Sequence, residues 1–467
     1  MRRRVFLLAI LLAAALAWPR EAVRADIAPP KTPPGSTLLP EDAGTAVRML
    51  AESVTLEVSA DPQNSDRSVA RTHAVFTMRN LGHVDETMAA RFPLSFPDGS
   101  SDGSFEFPEI PSISVKIDGS SVPTRREMQP PVEGAGYHER DEIPWAVFDV
   151  TFPRSRDVIV EVTYTVTGYG YYPQAIFEYV LETGAGWNDS IGEADVIVQL
   201  PYAATGANVF VEESNSSSAS TPGAVLTGNQ VRWHFEDLEP TSQDNIEVIL
   251  VAPALWESIL KETRLVEVNP KDGEAWGRLA KAYKEAARLP KGWLRDDPPG
   301  RELVDLSKNA YERCLGLLPK DALWHYGYAD LLWSEYYWES RISPRGDVQG
   351  LLPRALSELQ TVLALDPGNG LAQDLLLEIS LAVEGAVELN GGDYVFLALT
   401  ATPMPPTPYG NPPTEANATA TAARATAPPT RPATPEPYAE NPVCGAGALS
   451  ILLPAAALVL LNRRRAP

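Results

Sequence analysis

Few residues in this chain stand at spacings that do chemistry. Its five histidines are His73, His83, His138, His234 and His325. No two of them fall on one face of a helical pattern, and His-Glu-x-x-His does not occur, so the metal-hydrolase arrangement is missing from the sequence. His234 follows Trp233 in an alternating segment and points away from the face that Trp233 buries. His83 stands in a turn beside Gly82. No Gly-x-Ser-x-Gly elbow and no phosphate-cradling glycine loop is present. Gly184-Ala185-Gly186 lacks the strand-to-helix setting of a dinucleotide site and is expected as a loop. These patterns predict no catalytic residue, no cofactor and no resident metal.

Three weaker constellations remain. Asp98-Gly99-Ser100-Ser101-Asp102-Gly103 with Glu106 offers oxygens that suit Ca²⁺, but not at the spacing of the helical calcium loop; a solvated hairpin tip is the expected form. Tyr169, Tyr171 and Tyr172, in Gly168-Tyr169-Gly170-Tyr171-Tyr172-Pro173, end a long alternating run. They either close a core edge or stack on sugar rings, as in a glycan- or surface-layer-binding adhesin. The last is an envelope hydrolase whose carboxylates meet only in the fold. Its mark would be a pocket in the β region with paired carboxylates of raised pKa.

The elements that must position these residues follow from pattern. Residues 45–252 alternate in period two: Val54, Leu56 and Val58; Ala74, Phe76 and Met78; Val158 to Val166; Val231, Trp233 and Phe235; Ile246, Val248 and Leu250. Asn80-Leu81-Gly82, Pro97-Asp98-Gly99, Asp118-Gly119 and Gly228-Asn229 supply turns. Many short strands with frequent turns predict an antiparallel β-sandwich region, as one large or two small domains, with a candidate break at Gly184 to Gly192. At Pro253 the period changes to three and four, and residues 253–395 are expected to be helical.

The ends carry different signals. Arg2 to Arg4, an apolar run from Val5 to Ala17 and an exit at Ala25 predict a signal peptide over 1–25, followed by an extended leader over 26–44. Residues 396–443 are rich in Pro, Thr and Ala and are expected as a disordered stalk. Cys444-Gly445, an apolar stretch to Leu461 interrupted by Pro454, and Arg463 to Arg465 predict a transmembrane or sorting segment over 444–467, with Cys444 a candidate processing or anchor point. With only two cysteines, Cys314 and Cys444, no disulfide framework is expected. Net charge is −22; residues 1–25 carry five arginines against one glutamate and Arg463 to Arg465 close the tail, so the part between is more acidic still. That balance excludes nucleic-acid binding and suits cationic partners or plain solubility.

Two regions resemble known families. Asn269-Pro270, Trp276, Leu279, Ala280 and Tyr283, then Ala310-Tyr311, Cys314 and Pro319, then Trp324, Tyr328 and Leu331, then Ala355, Leu359, Val362 and Asp366-Pro367 resemble tetratricopeptide repeats. About three repeats are expected, with longer turns at Pro290 to Gly300 and Ser340 to Gly350 and a closing helix over 371–390. The resemblance implies a concave face lined by Glu274, Gly277, Lys281, Lys284 and Glu285, by His325, Ala329, Leu332 and Trp333, and by Asp374 and Glu378. Lys281, Lys284, His325, Leu332 and Trp333 are its partner-binding candidates, with Leu332 and Trp333 as the apolar anchor. Val47 to Val54, Phe76 to Asn80 and Arg91 to Leu94 resemble an uncharacterised family of bacterial extracytoplasmic β-domains. The tail resembles bacterial C-terminal sorting signals.

The expected fold class is thus multidomain α+β: an antiparallel β-sandwich region, a tetratricopeptide-like stack, a disordered stalk and one C-terminal transmembrane helix. The expected function is a non-enzymatic scaffold or interaction protein, anchored by its C-terminus with the ectodomain outside the cytoplasmic membrane. A protein or peptide of the envelope is its expected partner, not a small-molecule substrate.

Overall fold

The computed structural model describes residues 39–40, 45–95, 109–129, 141–170, 172–211, 219–241, 243–289, 293–341, 348, 350–390 and 393–399. Ala25, the acidic loop Asp98 to Glu106, Tyr171, Cys444 and both terminal segments lie outside the described residues. Mixed α+β architecture, a β-sheet region followed by six helices, is what the chain adopts.

The strands of the first region are β1 (Leu39–Pro40), β2 (Val47–Ala60), β3 (Ser68–Asn80), β4 (Glu86–Pro93), β5 (Ile113–Ile117), β6 (Ser120–Val122) and β7 (Arg125–Gln129). They continue with β8 (Ile143–Phe152), β9 (Asp157–Thr167), β10 (Gln174–Tyr179), β11 (Ile191–Gln199), β12 (Val225–Thr227), β13 (Gln230–Leu238) and β14 (Ile246–Val251). One sheet has the order β12-β13-β11-β2-β3-β9-β5-β6, a second β1-β4-β8-β7, and β10-β14 forms a separate ribbon. Inward residues of all three meet in one hydrophobic core, among them Val54, Phe76, Phe92, Phe148, Val160, Phe177, Trp233 and Leu250. The alternation in β9 is the reason: Val158, Val160, Val162, Tyr164 and Val166 are buried while Asp157, Ile159, Thr165 and Thr167 are exposed.

Turn chemistry sets the registers. Asp118 and Gly119 both have positive φ, and this two-residue turn joins β5 to β6 with the twist a hairpin needs. The Asn80 side chain donates to the Val84 and Phe152 carbonyls and accepts from the Gly82 amide, which fixes the corner after β3. A bulge between Met49 and Ala51 shifts the inward phase of β2, so Val47 and Met49 are followed by Glu52, Val54 and Leu56 on the buried side.

Two expectations need correction. The large sheet is not wholly antiparallel, because β11 pairs with β2 in parallel from Glu193↔Ala51 to Gln199↔Glu57. That same pairing joins chain before and after Gly184 to Gly192, so this segment is no boundary; it is a 3-10 turn (Glu182–Gly186) leading into β11.

Ala252 alone separates β14 from the first helix. The helices are α1 (Pro253–Val268), α2 (Gly273–Ala286), α3 (Pro298–Leu317), α4 (Ala322–Arg341), α5 (Leu351–Leu365) and α6 (Gly370–Ala382). Pro253 and Pro298 stand in first turns, where a missing amide proton costs nothing. The closing helix is shorter than its predicted span. It ends at Ala382, Gly385 adopts positive φ, and β15 (Glu388–Asn390) pairs with β16 (Asp393–Val395). Phe396, Ala398 and Leu399 pack on the helical core, so the folded part runs past residue 396, where the stalk was expected to start.

The two regions share a border. Ile249, Val251 and Phe210 of the β region belong to the helical core, and Trp256 of α1 packs against both cores. Arg295 is fully buried there, pairing with Asp297, donating to the Ala207 and Gly206 carbonyls at 2.9 and 2.8 Å, and lying 4.0 Å over the Phe210 ring. Among the described residues, no helix is long and apolar enough to cross a membrane.

Candidate functional site

The helical region repeats one local device three times. Asp272, Asp321 and Asn369 each cap a helix, accepting from the amides of Ala275, Leu323 and Ala372. Four residues on, Trp276, His325 and Gln373 each send a ring or amide nitrogen back to the carbonyl of Pro270, Pro319 and Pro367, at 3.0, 3.1 and 3.2 Å. These contacts fix the repeat register. His325, not Trp324, is the counterpart of Trp276, one residue off the register suggested by the aromatic residues.

In that register α2, α4 and α6 present matching rows: Glu274, Leu323 and Leu371; Gly277, Tyr326 and Asp374; Lys281, Asp330 and Glu378; Lys284, Trp333 and Leu381. Side-chain bonds join the rows. Lys284 Nζ donates to Asp330 at 2.8 Å, Arg288 donates to the same carboxylate at 2.6 Å, and Trp333 Nε1 donates to Glu378 at 2.7 Å. Burial works against the Asp330 charge, yet Lys284 and Arg288 hold its carboxyl below its usual range.

This geometry overturns most of the predicted anchor. Leu332, Trp333 and Lys284 are buried, as are Ala329 and Gly277. Trp333 stacks on Tyr336 at 5.7 Å between ring centres and is held at its nitrogen by Glu378, so it fills the seam between α4 and α6. Lys284 is drawn in by Asp330 and by the Gly327 carbonyl. His325 is also buried: Nδ1 meets Glu358 and Nε2 the Pro319 carbonyl. Both of its nitrogens face acceptors, so the ring bonds to both only when doubly protonated; burial opposes that charge, but Glu358 raises its pKa. Of the five candidates only Lys281 is exposed. The open side chains of the first-helix face are Glu274, Lys281, Leu323, Leu371, Asp374, Glu378 and Leu381.

A second constellation went unpredicted. In the β10–β14 ribbon Glu178 stands directly opposite Glu247. Tyr169, tied to Ile176 by two backbone bonds, lays its hydroxyl over the pair, 3.0 Å from Glu247 and 3.3 Å from Glu178. Among the described residues no lysine or arginine bonds to either carboxylate. Like charges placed opposite on a ribbon repel. Burial and then the Glu247 charge push the Glu178 carboxyl up to about 8, and burial raises Glu247 too. A protonated Glu178 can donate to the Tyr169 oxygen while Tyr169 donates to Glu247, a short proton relay. The signal was in the sequence: Ile246, Val248 and Leu250 fill one face of β14, which leaves Glu247 on the other.

The tyrosine platform is divided by the same contacts. Tyr169 is half-buried and committed to the carboxylates, whereas Tyr172 is exposed. Elsewhere, cross-strand pairing gathers Glu193, Asp195 and His234 on the outer side of the large sheet. Arg232 already donates twice to Asp195 Oδ1, and His234 Nδ1 lies 2.9 Å from it, so a cation would have to displace a guanidinium. Cys314 is buried, and burial pushes its thiol up to about 12, which makes it unreactive.

No protein-family profile and no curated protein matches the chain. Among the solved structures similar to it are the following two. One, described as a candidate nutrient binding protein from Legionella pneumophila, shares 16% identity at a TM-score of 0.38, over 59% of this chain and 98% of that one. The other is an M1 zinc metallopeptidase from Deinococcus radiodurans, with 9% identity and a TM-score of 0.25, over 70% of this chain and 76% of that one. Likeness at these scores carries no argument about fold or activity.

Proposed function

We propose that this chain is a non-enzymatic interaction protein of the cell envelope, held outside the cytoplasmic membrane by its C-terminal segment. Its sheets form a β-sandwich carrier, and its helical hairpins a tetratricopeptide-like stack that receives a protein partner on the first-helix face. The observation that carries this reading is the pair Leu323 and Leu371, two exposed leucines at matching repeat positions beside Glu274, Asp374 and Glu378. Aliphatic side chains lined up in the open, with acids beside them, suit a partner segment with apolar and basic residues. Capture from envelope extracts by the full chain tests it. Leu323→Ser with Leu371→Ser, at unchanged melting temperature, is expected to lose the captured partner; an identical set of captured proteins would defeat the reading.

One observation favours a second reading. Glu178 and Glu247, bridged by the Tyr169 hydroxyl, are a carboxylate pair of raised pKa, one of the marks of a hydrolase. A hydrolytic activity of the purified chain that Glu178→Gln abolishes would support it, and an activity indifferent to that change would end it.

A further inference from the structure

Among the described residues, the stack ends on a first helix. After Ala382 the chain turns into β15, β16 and a single 3-10 turn at Leu397–Leu399, and no further α-helix follows α6 among the described residues. The register shows what that omission uncovers. Ala280 and Ala329 are 0% exposed, but their counterpart Leu377 is 57% exposed. Lys284 and Trp333 are 5% and 3% exposed, but their counterpart Leu381 is 81% exposed. The covering elements are known in the complete repeats, and they are helices. Ser307 of α3 donates to the Ala280 carbonyl, Asp330 of α4 closes over Lys284, and Glu378 of α6 closes over Trp333. Leu377 and Leu381 are one turn apart on α6, a spacing that a packed helix reads as one ridge.

We propose that this outer face of α6 docks an amphipathic helix of a different protein, with leucine-sized apolar residues on one side and lysine or arginine along its edge. The apolar requirement comes from Leu377 and Leu381. The basic requirement comes from Asp374 and Glu378, exposed beside them. Within the stack, the step from α2 to α4 is already closed by cations on a carboxylate, Lys284 and Arg288 on Asp330. A second copy of this chain is a poor occupant: it would set Asp374 and Glu378 against their own copies, in a protein whose net charge is −22. This inference rests on the helical region being the interaction surface, but on different residues from Leu323 and Leu371.

The test is a titration of the full chain with three synthetic peptides: an amphipathic Lys/Leu helix, its Glu/Leu counterpart, and a scrambled Lys/Leu peptide of the same composition. The Lys/Leu helix is expected to bind, and Leu377→Ser with Leu381→Ser to weaken it by at least about tenfold, with the thermal midpoint unchanged. Because both leucines are exposed, the variant is expected to fold. Equal binding of the scrambled peptide would mean charge adhesion alone and overturn the proposal. Equal binding of the Glu/Leu helix would overturn its basic requirement, and unchanged binding by the variant its location. A concentration-dependent dimer in sedimentation, lost in the variant, would name a second copy as the occupant instead. Loss of envelope capture by the Leu323 and Leu371 variant together with unchanged peptide binding by the Leu377 and Leu381 variant would defeat this inference and leave the interaction reading standing.

Discussion

The β region and the helical region bury charge in opposite ways. The ribbon β10–β14 places two carboxylates face to face and lets a tyrosine and a proton separate them. The helices place carboxylates against cations: Asp330 between Lys284 and Arg288, Glu312 against Arg354, Glu335 against Lys308, Glu339 against Arg301. The first arrangement depends on pH, because repulsion grows as the shared proton leaves. The second depends on both partners being present, because each burial cost is offset only by its neighbour. A region whose parts must hold together needs the second kind. A region that stores a proton at neutral pH needs the first.

The sharpest break of this contrast removes the acceptor in the helices. Asp330→Ala leaves Lys284 and Arg288 facing each other without a counter-charge, Lys284 fully inside. Loss of one member of a buried ion pair costs about 3–5 kcal/mol. Urea unfolding at neutral pH is expected to show a loss of that size. A loss no larger than that of a surface pair would mean the helices tolerate unpaired charge after all.

Glu178→Gln probes the other side. A carboxyl whose folded pKa lies above its ordinary 4.5, at about 8, contributes stability while protonated and loses it as pH rises between those values. Glutamine keeps the neutral shape without the titration. The variant is therefore expected to match the parent near pH 5 and to exceed it at pH 8 by a few kcal/mol, on the order of 2–4. Parallel pH profiles for the two proteins would show that the pair carries no shared proton.

Why one region was legible and the other less so follows from range. The strands over Val54, Phe76, Val160, Trp233 and Val248 are written in local alternation, and the switch at Pro253 in local period. Glu178 and Glu247 meet through ribbon pairing between distant segments, and β2 meets β11 in parallel; neither register leaves a local mark. In the helices the repeat was visible, but aromatic identity misled by one residue. Trp324 looks like Trp276, whereas the bond to a proline carbonyl assigns that place to His325. A slip of one residue turns a helix by about 100°, enough to move core to surface. The slip hid Leu323 from the exposed row, whereas Leu332 and Trp333 were misjudged because the row of Lys284 and Trp333 is covered by the next first helix.

The smallest expected effect tests whether the helical region also answers to pH. His325 bonds Glu358 through Nδ1 and the Pro319 carbonyl through Nε2, and it can do both only as a cation. Burial works to lower its pKa, but Glu358 and the Pro319 carbonyl together hold the folded value above the ordinary 6.5. The bonus is complete below 6.5 and is lost as pH rises through the folded value. His325→Gln, able to donate at one end only, removes it, at about 1–2 kcal/mol near pH 6 and less above pH 8. Unfolding curves of parent and variant at the two pH values give the difference directly. A gap that widens with pH would reverse the assignment. A gap that narrows adds one pH-sensitive clasp to a region otherwise closed by permanent charges, and it places that clasp on α4, the helix that joins the first repeat to α6.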